Sequence, residues 1–217
     1  MEIELKYRFR SHASVVRLLD DPQVRQVACN PWQTHELHNR YFDTPDQRLR
    51  DAGIGLRLRS DGEIIVLCCK YQGSSDHSEQ GSPEEGCREL RPPALSQRQE
   101  EEIVLEKMPA NPADLPWHLL PCAVMLSKIL GDESLEEIAV SDFKRQVLCL
   151  AWRASKVELA LDEGFLIRKE KRSALLELEL ELKEGNLEDL CQLGEILAER
   201  YELVAEPKSK LQRALEV

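Results

Sequence analysis

Four stretches of this chain set charged side chains at every second position: EIELK at 2–6, IGLRLR at 54–59, RQEEE at 98–102 and LELELEL at 176–182. In an extended backbone alternate side chains share a face. Glu2, Glu4 and Lys6 therefore stand together, as do Arg57 with Arg59, Arg98 with Glu100 and Glu102, and Glu177 with Glu179 and Glu181. Segment 156–162 adds Glu158 and Asp162 opposite Val157, Leu159 and Leu161, and Lys70 follows Val66 and Cys68 on another segment. Crowded carboxylates repel, and a divalent cation relieves them. Hard oxygen donors without His or Cys suit Mg²⁺ or Mn²⁺. The basic set, Lys6, Arg57, Arg59, Lys70, Arg98 and Arg145, matches a compact polyanion. A phosphate chain satisfies both sets, because its oxygens bridge metal and guanidinium. Together they predict metal-dependent phosphoryl transfer.

The same charges on a solvated sheet would mean little, since exposed ion pairs contribute at most about 1 kcal/mol each. The elements decide which case applies. Alternation and β-branched content predict strands at 2–9, 34–43, 54–60, 63–71, 98–107, 142–152, 156–162, 165–170 and 173–183. RSDGE at 59–63 and LDEGF at 161–165 read as hairpin turns. Helices are expected at 12–20 with Ser11 or Ser14 as cap, at 113–131 with a break at Pro121, at 187–200, and in a short segment after Pro207. Eight or nine strands in so short a chain favour a closed antiparallel β-barrel of mainly β (α+β) class. If helices pack outside it over the leucine faces, the charged faces point inward around a hydrophilic tunnel.

With 217 residues the chain is expected to form one domain, 1–217. The polar stretch 72–97 reads as a mobile excursion between strands. A net charge of -11 disfavours a nucleic-acid duplex as partner. No stretch approaches the ~18 apolar residues that cross a bilayer, and no signal segment is read. The seven cysteines and five histidines follow no zinc spacing, so free thiols in a reducing cytoplasm are the expectation. His12, His35, His38, His77 and His118 are read as incidental, structural or solvated.

The order of these elements resembles the CYTH superfamily, the triphosphate tunnel metalloenzymes. EIELK resembles its ExExK signature. NRYFDTPDQRLRDAGIGLRLR (39–59), SDFKRQ (141–146), VELALDEG (157–164), LLELELEL (175–182) and SKLQRAL (209–215) resemble later family elements in order and spacing. The resemblance implies an eight-stranded barrel around a hydrophilic tunnel. It also implies metal binding by Glu2 and Glu4 from one wall and by Glu177 and Glu179 from the opposite one. Phosphates would be held by Lys6, Arg57, Arg59, Lys70, Arg98, Arg145 and Lys210, with Tyr41 facing inward. Glu100, Glu158, Asp162 and Glu181 are possible additions. Catalysis would rest on Glu2, Glu4, Lys6, Arg59 and Glu179. Cys68 departs from the pattern, which has a hydroxyl or apolar residue there.

Within the superfamily the chain looks most like the bacterial inorganic triphosphatases. That implies hydrolysis of tripolyphosphate to pyrophosphate and phosphate by water, with a small polyanion as partner and a monomer or homodimer as assembly. Thiamine triphosphatase, class IV-type adenylate cyclase and a non-catalytic polyphosphate- or nucleotide-binding module are the alternatives. The first would need an aromatic slot, for which Trp32, Trp117 and Trp152 are available, although packing in helices or at sheet edges is the plainer role for each. No feature speaks for adenine. A mere anion binder would gain nothing from two walls of repelling acids.

Overall fold

The structure is a computed structural model in which residues 1–72 and 92–217 are described. Strands β1 (Glu2–Arg8), β2 (Gln33–Asp43), β3 (Gly55–Asp61), β4 (Ile64–Tyr71), β5 (Leu95–Leu105), β6 (Glu136–Trp152), β7 (Ser155–Arg168) and β8 (Lys171–Glu184) form one antiparallel sheet. Their order is β5-β4-β3-β2-β6-β7-β8-β1, and pairing of β1 with β5 closes it into an eight-stranded barrel. A two-residue strand, β9 (Val204–Ala205), pairs with β1 beyond that seam. Most of the expected 72–97 excursion, residues 73–91, lies outside the described residues. Its last residues, Leu95–Gln97, already belong to β5.

Alternation sends leucines out and charges in. Leu159, Leu178 and Leu180 are fully buried with Leu5 outside the barrel wall, under α1 (His12–Asp20) and α5 (Leu187–Tyr201). Each such leucine contributes roughly 1.5–3 kcal/mol by leaving water. A second core joins Leu56, Leu58 and Leu67 to α3 (Arg48–Asp51) and α4 (Ala123–Leu130). A short α2 (Pro22–Gln26) follows α1, with Pro22 in its first turn and the Asp21 side chain accepting from the Gln23 amide. The long helix expected over 113–131 is instead two short 3₁₀ turns, Pro112–Asp114 and Trp117–Leu119, followed by α4. Pro116 and Pro121 remove the amides that a continuous helix would need.

The LDEGF hairpin does not form. Gly164 lies inside β7, paired with Phe143 on one side and Leu175 on the other. A Cβ there would fall 2.2 Å from the Asp142 carbonyl oxygen. This glycine serves close strand approach, not reversal. The reversals fall after Trp152 and Arg168, where Arg153 and Lys169 adopt positive φ of 54° each. The RSDGE turn forms as read, with Gly62 at φ 58°.

One helix differs from the outer coat. α6 (Lys210–Ala214) packs on β6 and β7, and Ala214 joins the inward-facing Leu37, Tyr41 and Phe143 in an apolar cluster. It closes over one end of the barrel and carries Lys210 into the interior.

Candidate active site

All eight barrel strands send side chains into one cavity of about 780 Å³. Among its lining are Glu2, Glu4 and Lys6 from β1, Tyr41 from β2, Arg57 and Arg59 from β3, and Lys70 from β4. Arg98 and Glu100 come from β5, Arg145 from β6, Glu158 from β7, and Glu179 and Glu181 from β8, with Lys210 from α6. Glu177 and Asp162 lie beneath this lining, 1% and 0% exposed. Every candidate read from the sequence is therefore in the cavity or directly under its surface.

The first charge cluster forms the floor. Arg145 grips Asp162 with two hydrogen bonds of 2.7 and 2.6 Å and also donates to Glu179. Lys210 Nζ stands 2.8 Å from Asp162 and 2.7 Å from Glu179, and also pairs with Glu177. Arg213 takes the other oxygen of Glu177. Burial alone would raise Glu179, but Lys210 and Arg145 hold it well below the usual carboxylate range. Glu177 is raised by burial, which Lys210 and Arg213 only partly offset.

The second cluster lies around the β4–β5 wall. Lys70 Nζ is 2.8 Å from both oxygens of Glu2 and 3.2 Å from Glu100. Arg57 donates to Glu100 at 3.1 Å, and Arg59 to Glu102 at 3.0 Å. The Cys68 thiol donates to Glu100 at 3.0 Å, and burial pushes its pKa up to about 12. Cys68 thus remains a neutral donor to Glu100.

Between the clusters Glu4 is 9% exposed, and its nearest ion-pair partner is Lys6 at 3.6 Å. Burial raises its pKa, and Glu179 adds to the rise. Glu2 is raised by burial despite Lys70. At both carboxylates burial outweighs the nearby cations. Hard oxygen donors in that condition fit a divalent cation.

The acids are not arranged across opposite walls. β1 is hydrogen-bonded to β8, with Glu4 opposite Glu181, Lys6 opposite Glu179 and Arg8 opposite Glu177. Glu2 and Glu4 therefore adjoin the Glu177–Glu179 strand, because the N-terminal strand closes the barrel beside the last long one. Among the described residues, Asp162, Glu177 and Glu179 form one group of three whose possible ligand atoms lie within 4.8 Å of one another, and Cys68, Glu100 and Glu102 form another.

Several contributors escaped the sequence reading. Asn39, Arg50, Lys183 and Lys208 line the cavity. Asn39 sits in a strand whose polar and apolar residues do not alternate cleanly, and Arg50 lies in the short helix α3. The Asp-Thr-Pro run has a structural role: the buried Asp43 carboxylate accepts from the amides of Thr44, Leu49 and Arg50 at 2.8, 2.8 and 3.0 Å. It fixes the start of α3 and with it the approach to β3 and Arg57. Neither the tryptophans nor the histidines among the described residues line the cavity. Trp32 and Trp152 pack on the α1–α5 core, and Trp117 on the α4 core.

The CYTH domain family profile matches residues 1–215. An inorganic triphosphatase of Haemophilus influenzae is 28% identical over 181 residues, which are 82% of this chain and 44% of that protein. The chain thus spans less than half the length of this curated relative. A solved structure of a putative adenylyl cyclase from Hippeastrum, reported to have a dominant triphosphatase activity, superposes with a TM-score of 0.67 at 18% identity, covering 100% of this chain and 95% of the other. A putative adenylate cyclase from Bacillus halodurans superposes at 0.57 and 19% identity, covering 98% and 96%. Both likenesses concern the barrel fold.

Proposed function

The chain belongs to the CYTH domain family, and on that premise we propose that it is a divalent-metal-dependent triphosphatase acting on inorganic tripolyphosphate. The observation that carries this reading is the convergence of acids and bases from seven of the eight strands on one cavity, with Asn39 and Tyr41 reaching it from the eighth. The kinship with an inorganic triphosphatase supports it.

Lys6, Arg57, Arg59, Lys70, Arg98, Arg145 and Lys210 would bind and straighten the phosphate chain. Glu2 and Glu4, with Glu177 and Glu179 of the neighbouring strand, would hold Mg²⁺ or Mn²⁺. When bound, the ion supplies charge neutralisation on the phosphate oxygens and lowers the pKa of coordinated water. The bases neutralise charge that builds on the equatorial and leaving oxygens. If each contributes about 2–4 kcal/mol in the transition state, loss of one costs on the order of 10²- to 10³-fold in rate. Glu158 and Glu181 stand opposite one another and flank the chain's path. Water attacks the terminal phosphorus, and pyrophosphate leaves. Among the described residues no helix is long and apolar enough to cross a membrane, and we place the enzyme in the cytoplasm.

The test is a phosphate-release panel on purified protein with tripolyphosphate, thiamine triphosphate, ATP and pyrophosphate, each with Mg²⁺ and Mn²⁺ and with chelator. The ATP samples are also assayed for cyclic AMP. Tripolyphosphate is expected to be turned over fastest and only with metal. Faster turnover of thiamine triphosphate by a wide margin, accumulation of cyclic AMP, or binding without turnover would each replace the reading.

A further inference from the structure

Outside the charged floor, the segment following α2 bridges back to the far end of β6. Ala28 pairs with Leu150 in an isolated antiparallel bridge, the Ala151 amide donates to Val27, and the Cys29 amide donates to the Cys149 carbonyl at 2.8 Å. Cys29 and Cys149 are thus cross-strand neighbours, whose side chains project to the same side of the sheet. Their Cα atoms are then expected to be about 5.5 Å apart, within the range a disulfide spans. Both thiols are free. Cys29 is exposed and Cys149 half-buried. The Cys149 amide is occupied by the Asn30 side chain at 2.8 Å, which holds the short loop against the strand. Cys149 stands opposite Glu158, a cavity-lining residue.

We propose that Cys29 and Cys149 are a redox modification site, closed to a disulfide by a low-molecular-weight organic disulfide such as oxidised glutathione. The Cys29 thiolate attacks one sulfur of the reagent, forming a mixed disulfide and expelling one thiolate. Cys149, deprotonated to solvent, then attacks the Cys29 sulfur, and the second thiolate leaves. Two protein thiols are oxidised and one reagent disulfide is reduced to two thiols. Exposure assigns the first attack to Cys29, and adjacency assigns the resolving role to Cys149. The molecule contains its own control. Cys69 and Cys122 share the α4 core but are only 0% and 7% exposed, sealed from a reagent in solution.

The crosslink ties the chain before β2 to β6, restrains the unfolded chain over the long intervening loop and raises stability. The proposal does not depend on what the cavity hydrolyses.

The experiment treats reduced full-length protein with excess oxidised glutathione in mildly alkaline buffer, blocks the remaining thiols and maps peptides without reduction. The expected product links residues 29 and 149, has lost two hydrogens of mass, retains no glutathione and unfolds at higher urea than the reduced protein. C149S should instead retain one glutathione on Cys29, released by dithiothreitol, and C29S should show neither the link nor the urea shift. Stable glutathione on Cys29 of the wild type overturns the proposal. So does a link from Cys29 to any other cysteine, Cys87 included, or recovery of both thiols unmodified while the protein is folded.

Discussion

The ammonium of Lys70 chelates Glu2, standing 2.8 Å from each oxygen of its carboxylate. The two lie on strands separated by β5, whose Glu100 takes the same ammonium at 3.2 Å. Three strands are thereby tied through one cation. Burial works against the charge on Lys70 and Arg57 adds repulsion, yet Glu2, Glu100 and Glu4 together raise its pKa. Lys70 is a cation held ready by acids.

Lys70→Met removes the charge that opposes burial at Glu2, so the Glu2 pKa rises further. Its ionised form then appears only at higher pH. The expected result is a tripolyphosphatase rate lower by about 10²- to 10³-fold and an acidic limb of the pH–rate profile displaced upward. A profile of unchanged shape at reduced height would show that Glu2 ionisation does not limit the reaction.

Glu4 makes the opposite kind of contribution. Its raised pKa means that ionisation is less favourable in the folded than in the unfolded chain, so stability falls as pH rises through the carboxylate range and stays lower at neutral pH. Glu4→Gln should therefore abolish turnover while the metal-free protein keeps or gains stability. Urea midpoints with and without Mg²⁺ check this. The wild type should gain stability on Mg²⁺ addition by ligand linkage, and the variant should gain much less. Equal gains would remove Glu4 from the metal set.

The legible part of this protein was the part whose physics is local. Glu177, Glu179 and Glu181 alternate with leucines, and that pattern alone assigns β8 one apolar and one charged face. What turned the charged face inward was helices covering the other, and the leucine content of 12–20 and 187–200 already indicated such covers. Gly164 misled, because Asp-Glu-Gly has turn chemistry. Only the register of β6, β7 and β8 shows the glycine pressed against Asp142. The floor cluster was illegible as a cluster: Asp162, Glu177, Arg145 and Lys210 meet through strand order and through a helix entering the barrel end. Asp43 was visible as part of a motif, but its three amide partners depend on the turn it creates.

Gly194 tests the outer packing that holds the tunnel wall in place. A Cβ there would lie 2.5 Å from Leu5 Cδ1 and 2.6 Å from the Tyr7 hydroxyl. Those two residues flank Lys6. Alanine improves helix propensity by about 1 kcal/mol, but overpacking costs typically 1–3 kcal/mol. Gly194→Ala should lose up to roughly 2 kcal/mol in urea unfolding and raise the KM for tripolyphosphate as β1 shifts. A variant more stable than the wild type would mean that α5 slides freely on the barrel and does not clamp Lys6.

Glu100 gives the clearest pH dependence. Burial would raise it, but Lys70 and Arg57 prevail and hold it at about 2, against an ordinary 4.5. A carboxyl depressed on folding stabilises the protein above the unfolded-state value, and that contribution disappears as pH falls toward the folded one. The window is therefore pH 4.5 down to about 2. Glu100→Gln keeps the shape and removes the titration, so the wild type should exceed the variant in urea midpoint at neutral pH, and the gap should close as the window is crossed. The surviving Lys70–Glu2 contact would keep part of the wall paired in the variant, which limits the neutral-pH loss. A gap that stays constant from neutral pH to the bottom of the window would mean that Lys70 and Arg57 do not set the charge on Glu100, and the second cluster would then be held together by shape alone.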